Sequence, residues 1–113
     1  MLSIVTAVLK PHQLEPVVEA LKQVDVHGLT ATEVKGFGRQ GGHSETYRGT
    51  EYHLDFIPKV KIEVVLDAAR ADEAVEAIAG AARTGRIGDG KVWVTPVSDV
   101  VRIRTGERGT EAL

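Results

Sequence analysis

Three short stretches carry residue types suited to an anion. "GRIGDGK" (85–91) sets three glycines and a lysine close together. Closely spaced glycines let the chain turn several backbone N–H groups towards one anion, and Lys91 adds a charge. The spacing matches G-x-x-x-x-G-K, but Val92 follows where a P-loop needs Ser or Thr for magnesium, and the predicted order is helix then strand. It is therefore not a P-loop. Two readings stand: an anion nest, or a helix C-cap and turn, for which Gly85 alone would suffice. "VRIRTGER" (101–108) places Arg102 and Arg104 two apart. In an extended segment both point to one side, and paired guanidinium groups favour phosphate oxygens. A solvated edge strand that uses charge against aggregation is the alternative, and the better one for this stretch alone. "GFGRQG" (36–41) matches G-x-G-x-x-G, yet a polar, glycine-broken segment follows instead of the helix that a dinucleotide site needs. It reads as a flexible exit from a strand.

Other chemistries find little support. The chain has no cysteine, so disulfides and thiolate metal sites are excluded. His12, His27, His43 and His53 show no metal-ligand spacing and read as surface or loop residues. No Ser-His-Asp or paired-carboxylate arrangement stands out. Asp89, between glycines, reads as a turn residue rather than a general base. Net charge is −2, which gives no general field for nucleic acid or anionic membrane. Aromatics are 4%, too few for an RNA-stacking sheet. "MLSIVTAVLK" lacks the charge and length of a signal peptide, and no apolar run is long enough to span a membrane.

The elements that must hold these stretches follow from periodicity. Residues 2–9, "LSIVTAVL", read as a strand buried on both faces. Pro11 then opens a helix whose stripe is Leu14, Val17, Val18, Leu21 and Val24, with Gly28 as the turn beyond it. "LTATEVKGFG" is a second strand. A second cycle starts at Val60: "VKIEVVL" alternates, Ala71, Ala74, Val75, Ile78 and Ala82 recur at helical spacing, and "KVWVTPV" is a strand. "EPVVEAL" (15–21) and "DEAVEAI" (72–78) make a weak β-α-β repeat. The prediction is an α+β, ferredoxin-like double β-α-β sandwich over residues 1–113, with both helices on one face of an antiparallel sheet. The other face needs cover, which argues for self-association. Residues 38–56 show no periodicity and read as a long functional loop. Both tyrosines, Tyr47 and Tyr52, fall inside it, in "YRGTEY".

"TEVKGFGRQGGHSETYRGTEY", "DFIPKVKIEVV", "ARTGRIGDGKVWV" and "VRIRTGE" together resemble the PII-type nitrogen-signalling proteins, in collinear order over the whole chain. The resemblance implies a cytoplasmic, non-enzymatic homotrimer with nucleotide sites between subunits and a protruding T-loop at about residues 37–55. ATP or ADP would bind there, and with Mg2+ and ATP also 2-oxoglutarate. Carried over by position, Gly88, Asp89, Gly90 and Lys91 cradle the phosphates, and Arg102, Ile103 and Arg104 face them. Thr30, Gly38, Arg39 and Val65 make further nucleotide contacts. Gln40 is the magnesium ligand, and Lys59 and Gly88 meet 2-oxoglutarate. Tyr52 is the residue modified by a nucleotidyltransferase, with an uridylyl or an adenylyl group. The ending "RTGERGTEAL" is similar to actinobacterial members, which leans towards adenylyl. Arg48 enters an ammonium transporter, so membrane association is reversible and through a partner. Nitrogen-assimilation enzymes or regulators are further partners.

Two departures from the family pattern stand out. Gly41 occupies a position usually held by lysine, so "RQGGH" is looser and less basic. His12 replaces an aromatic, at a position expected to concern packing. The rival functional readings are a small ferredoxin-like ATPase or phosphotransferase, and a trimer of the metal-tolerance type. The first lacks a residue to position a nucleophile, and the second leaves "YRGTEY" and "TGRIGDGK" unexplained.

Overall fold

The chain alternates strand and helix because its apolar period alternates between two and 3.6. The computed structural model describes the backbone of residues 1–37, 43–47, 50–54 and 56–113, and the side chains of 1–37 and 56–113. Strand β1 is Leu2–Leu9, helix α1 Leu14–Gln23, β2 Thr30–Phe37, β3 His43–Tyr47, β4 Thr50–Leu54, β5 Phe56–Asp67, α2 Ala71–Ala82 and β6 Lys91–Val97. Both helices are entered through a short 3-10 turn, Pro11–Gln13 and Ala68–Arg70. The weak sequence repeat thus corresponds to a structural one.

Four strands form an antiparallel sheet in the order β2-β5-β1-β6. This is the ferredoxin-like order. Val5, Ala7 and Leu9 of β1 and Val60, Ile62 and Val64 of β5 turn to the helices. There they meet Val17 and Leu21 of α1 and Ala71, Ala74, Ile78 and Ala82 of α2, which form one core. The small residues of α2 let it pack closely on β1 and β6. The opposite face carries Ile4, Thr6 and Val8 of β1, the alternate residues of β5 from Lys59 to Val65, and Trp93 of β6. Trp93 is 44% exposed and Val65 39%.

Three expectations need correction. The stretch 38–56 was expected to lack regular structure, yet β3 and β4 pair as an antiparallel ladder with Tyr47 opposite Thr50 and Glu45 opposite Tyr52. Alternation reveals a strand only when one face joins a core. The usable signal was a run of Thr and Tyr around a two-residue connection containing glycine. His12 is exposed and lies outside the core of this chain, where burial was expected.

The third correction concerns the end of α1. Gly28 has an ordinary backbone; the left-handed residue is Asp25, with φ of 62°. The amides of Asp25 and Val26 donate to the carbonyls of Lys22 and Leu21 at 3.0 and 2.9 Å, a Schellman motif. Val26 is buried beside Leu21 in the core. Arg70, from the second half of the chain, donates to the carbonyls of Val24 and Asp25. Asp25→Gly relieves the left-handed strain and raises stability by about 0.5–1 kcal/mol. Urea unfolding measures this, and a fall in stability would instead give the deciding role to the Asp25–His27 contact at 2.8 Å.

Candidate functional site

Residues 83–91 connect α2 to β6, and one carboxylate organises them. Asp89 Oδ2 accepts from the amides of Thr84 and Gly85 at 2.7 and 2.9 Å. Its Oδ1 accepts from the Thr84 hydroxyl at 2.6 Å and from Lys10 Nζ at 3.2 Å. The Arg86 amide donates to Thr84 Oγ1 at 3.2 Å, which tightens the turn. The Thr84 hydroxyl and amide, with help from Gly85 and Lys10, hold the Asp89 carboxyl well below its ordinary value of 3.8. Partial burial opposes this without reversing it.

The loop is pressed onto β1. Gly90 has φ of 100°, and a Cβ placed there would lie 1.8 Å from the carbonyl oxygen of Val8. Only glycine fits both the conformation and the approach. Gly88, with φ of 98°, turns the chain so that its carbonyl accepts from Lys59 Nζ at 2.7 Å. Lys59 lies on the open face of the sheet and is only 7% exposed. Burial lowers the pKa of its ammonium, the neighbouring Lys10 lowers it further, and Asp89 partly restores it. Such a cation gains from an anion that replaces lost water.

Around this contact lies a cleft of about 320 Å³. Gly88, Gly90 and Lys91 line one side, Lys59, Gly36 and Phe37 another, and Val8, Ile87 and Trp93 complete it. The loop, Lys91 and Lys59 of the sequence reading are therefore brought together. Asp89 is not: its carboxylate faces its own loop and is absent from the cleft lining. Thr30 and Val65 also meet, in a second cleft of about 390 Å³ with Ile4 and Glu63. Ile4 and Val8 are four residues apart on β1, which separates the two clefts by about 13 Å.

The C-terminal arginines are arranged differently from expectation. Residues 101–108 are not extended; they form a hairpin closed by a bridge between Val101 and Arg108. Its backbone is pinned by the Arg102 amide donating to Glu107 O at 2.9 Å. Arg102 Nη2 donates to the main-chain oxygens of Glu111 and Leu113 at 3.1 and 2.9 Å, while Arg104 is exposed and Ile103 is 98% exposed. Neither arginine lines the Lys59 cleft. β6 runs from Lys91 opposite Val8 to Val97 opposite Leu2, so the strand end that leads to the hairpin is about 20 Å from Lys91. Gly38, Arg39, Gln40 and Arg48 lie outside the described residues. So does the side chain of Tyr52, whose backbone lies in β4. Among the described residues no cluster of three His, Asp or Glu could hold a metal.

Sequence reasoning missed Lys10 and Thr84. A Thr-Gly pair after a helix, with Asp five residues after the Thr, could have suggested a side-chain-closed loop. Nothing local could have flagged Lys10, 79 positions from its partner.

The family described as nitrogen regulatory protein P-II matches residues 2–107. The chain belongs to that family. The P-II protein of Azospirillum brasilense is 60% identical over 96% of this chain and 97% of its own length. That of Rhizobium meliloti is 57% identical over the same shares. A crystal structure of Arabidopsis thaliana PII bound to citrate superposes with a TM-score of 0.80 at 37% identity, covering 98% of this chain and 88% of the other. The relative thus shares the ferredoxin-like frame. No helix among the described residues is long and apolar enough to cross a membrane.

Two consequences follow from the loop. Gly90→Ala must displace either the loop or β1 and should cost about 2–4 kcal/mol of stability by chemical denaturation, from overpacking plus backbone strain. For Asp89, the native carboxyl titrates below the unfolded one. Its contribution is present at neutral pH and is lost as pH falls below the ordinary carboxylate range towards the native value. The stability of the parent should therefore decline more steeply on acidification than that of Asp89→Asn, in thermal melts across that range.

Proposed function

We propose that this chain is a sensor that binds ATP or ADP and, in the presence of Mg2+ and ATP, 2-oxoglutarate. The observation that carries this reading is the buried Lys59 ammonium beside the glycine loop that ends in Lys91. Glycine N–H groups and Lys91 suit phosphate oxygens, whereas Lys59 suits a carboxylate. Citrate on the Arabidopsis relative supports a polycarboxylate as the kind of ligand. Gln40 would hold Mg2+ together with the ATP phosphates, since this ion takes few protein ligands. No carboxylate among those described is free to take this role in the cleft: Asp89 serves its own loop.

The unit is one domain, 1–113, assembled as a homotrimer. One chain separates Lys91 from Arg102, Ile103 and Arg104, and both clefts lie on the open face with Trp93 and Val65. Packing that face against a neighbour buries those side chains and brings one subunit's hairpin, with Thr30 and Val65, to another's Lys91 loop. The T-loop of about 37–55 is the output, with Gly38 and Arg39 at its base contacting the nucleotide. Arg48 inserts into an ammonium transporter, and the same loop engages nitrogen-assimilation enzymes or regulators. A nucleotidyltransferase adds an uridylyl or adenylyl group to Tyr52, whose bulk and charge oppose insertion. The protein is cytoplasmic and reaches the membrane through its partner.

Calorimetry tests the ligand reading. 2-Oxoglutarate should bind with Mg·ATP and poorly with Mg·ADP, because only ATP carries the γ-phosphate, and the two ligands must stabilise each other reciprocally. Equal affinity with both nucleotides would overturn it. Arg104→Ala should cost about 1.5–3 kcal/mol of ATP binding if it makes a charged hydrogen bond. In membrane vesicles, Arg48→Ala should lose transport inhibition but retain both ligands; inhibition equal to the parent's would sink the loop assignment.

A further inference from the structure

Lys10 follows the last residue of β1 and precedes Pro11, so its backbone stands at the point where the sheet gives way to α1. That backbone is extended, with φ of −64° and ψ of 137°. From there its side chain runs to the 83–91 loop, and its ammonium is 3.2 Å from Asp89 Oδ1. Both side chains of this pair are largely covered. Asp89 Oδ1 thus joins Lys10 to the Thr84 hydroxyl, while Oδ2 gathers the Thr84 and Gly85 amides.

The loop is therefore attached to β1 and to the residue that follows it. At Gly90 the backbone rests on the Val8 carbonyl. At Asp89 a charge-assisted bond reaches Lys10. One residue before Asp89, the Gly88 carbonyl accepts from Lys59 Nζ at 2.7 Å. The bond to Lys10 restrains the loop at Asp89, beside the restraints at Gly88 and Gly90. Lys10 is not among the residues lining the cleft; it acts there through its bond to Asp89 and through its charge beside Lys59.

We infer that Lys10 is a positioning residue of the anion site, which ties Asp89 and the 83–91 loop to the end of β1 so that Gly88 and Lys91 face Lys59 across the cleft. This rests on the proposed nucleotide reading of that cleft. An Arg can replace the charge at similar reach; an apolar chain of similar length cannot.

The test uses the full chain with Lys10→Met, Lys10→Gln and Lys10→Arg, by amide hydrogen exchange and by calorimetry with Mg·ATP. Exchange at the Thr84 and Gly85 amides should quicken by about tenfold or more in Lys10→Met. The same is expected in Lys10→Gln, which covers the case in which methionine prevents folding. Affinity for Mg·ATP should fall by about fivefold in both and return in Lys10→Arg, as expected for one partly buried ion pair. Unchanged exchange in both neutral variants overturns the inference. Quicker exchange with unchanged Mg·ATP affinity overturns it too, because Lys10 would then support the loop without serving the site. If the parent itself binds no Mg·ATP, the nucleotide reading fails, and the exchange result alone judges whether Lys10 holds the loop.

Discussion

A carboxylate with four donors fixes the functional end of this molecule. Asp89 gathers the start of its own loop, through Thr84 and Gly85, and the lysine that follows the first strand. Charge-assisted bonds are roughly twice as strong as neutral ones, and here they converge on one residue. The loop could otherwise adopt many conformations, since its glycines impose little of their own. With Asp89 satisfied internally, the loop holds its shape around Gly88 and Gly90 and presents Lys91 beside Lys59 at the cleft.

The sheet supplies the platform for that loop. β1 is the central reference: it pairs with β5 and β6, receives α2, and offers the Val8 carbonyl against which Gly90 rests. Its core side is filled by Val, Leu and Ile from both halves of the repeat. Its other side leads to Lys59, whose ammonium tolerates burial because the Gly88 carbonyl accepts from it. The same register places Lys91 and Val97 at opposite ends of β6, about 20 Å apart.

The exposed residues of the open face bear on the proposed assembly. Trp93, Val65 and Ile103 are poor choices for a surface that stays wet, and they cluster on the face or segment that a neighbour would cover. The Lys59 cleft and the Thr30–Val65 cleft lie along one strand of that face. An assembled surface would wall both, much as a homodimer core resembles a domain interior cut open.

The sequence by itself determined the strands and helices of both β-α-β units, their core faces and the family. Alternation at Val60, Ile62 and Val64 and the helical spacing of Ala71, Ala74 and Ile78 each report one local period, and burial followed it. The loop 85–91 was visible as a candidate because glycine clusters are local too. Tertiary structure alone decided that Lys10 reaches Asp89, that Gly90 must be glycine because of Val8, and that Lys59 meets Gly88. Each depends on atoms far apart in the chain, whose meeting is set by strand register rather than by any neighbour in sequence. The β3–β4 ladder and the turn at Asp25 were hidden for a different reason: backbone pairing and a Schellman cap satisfy N–H and C=O groups, which carry no side-chain period to read.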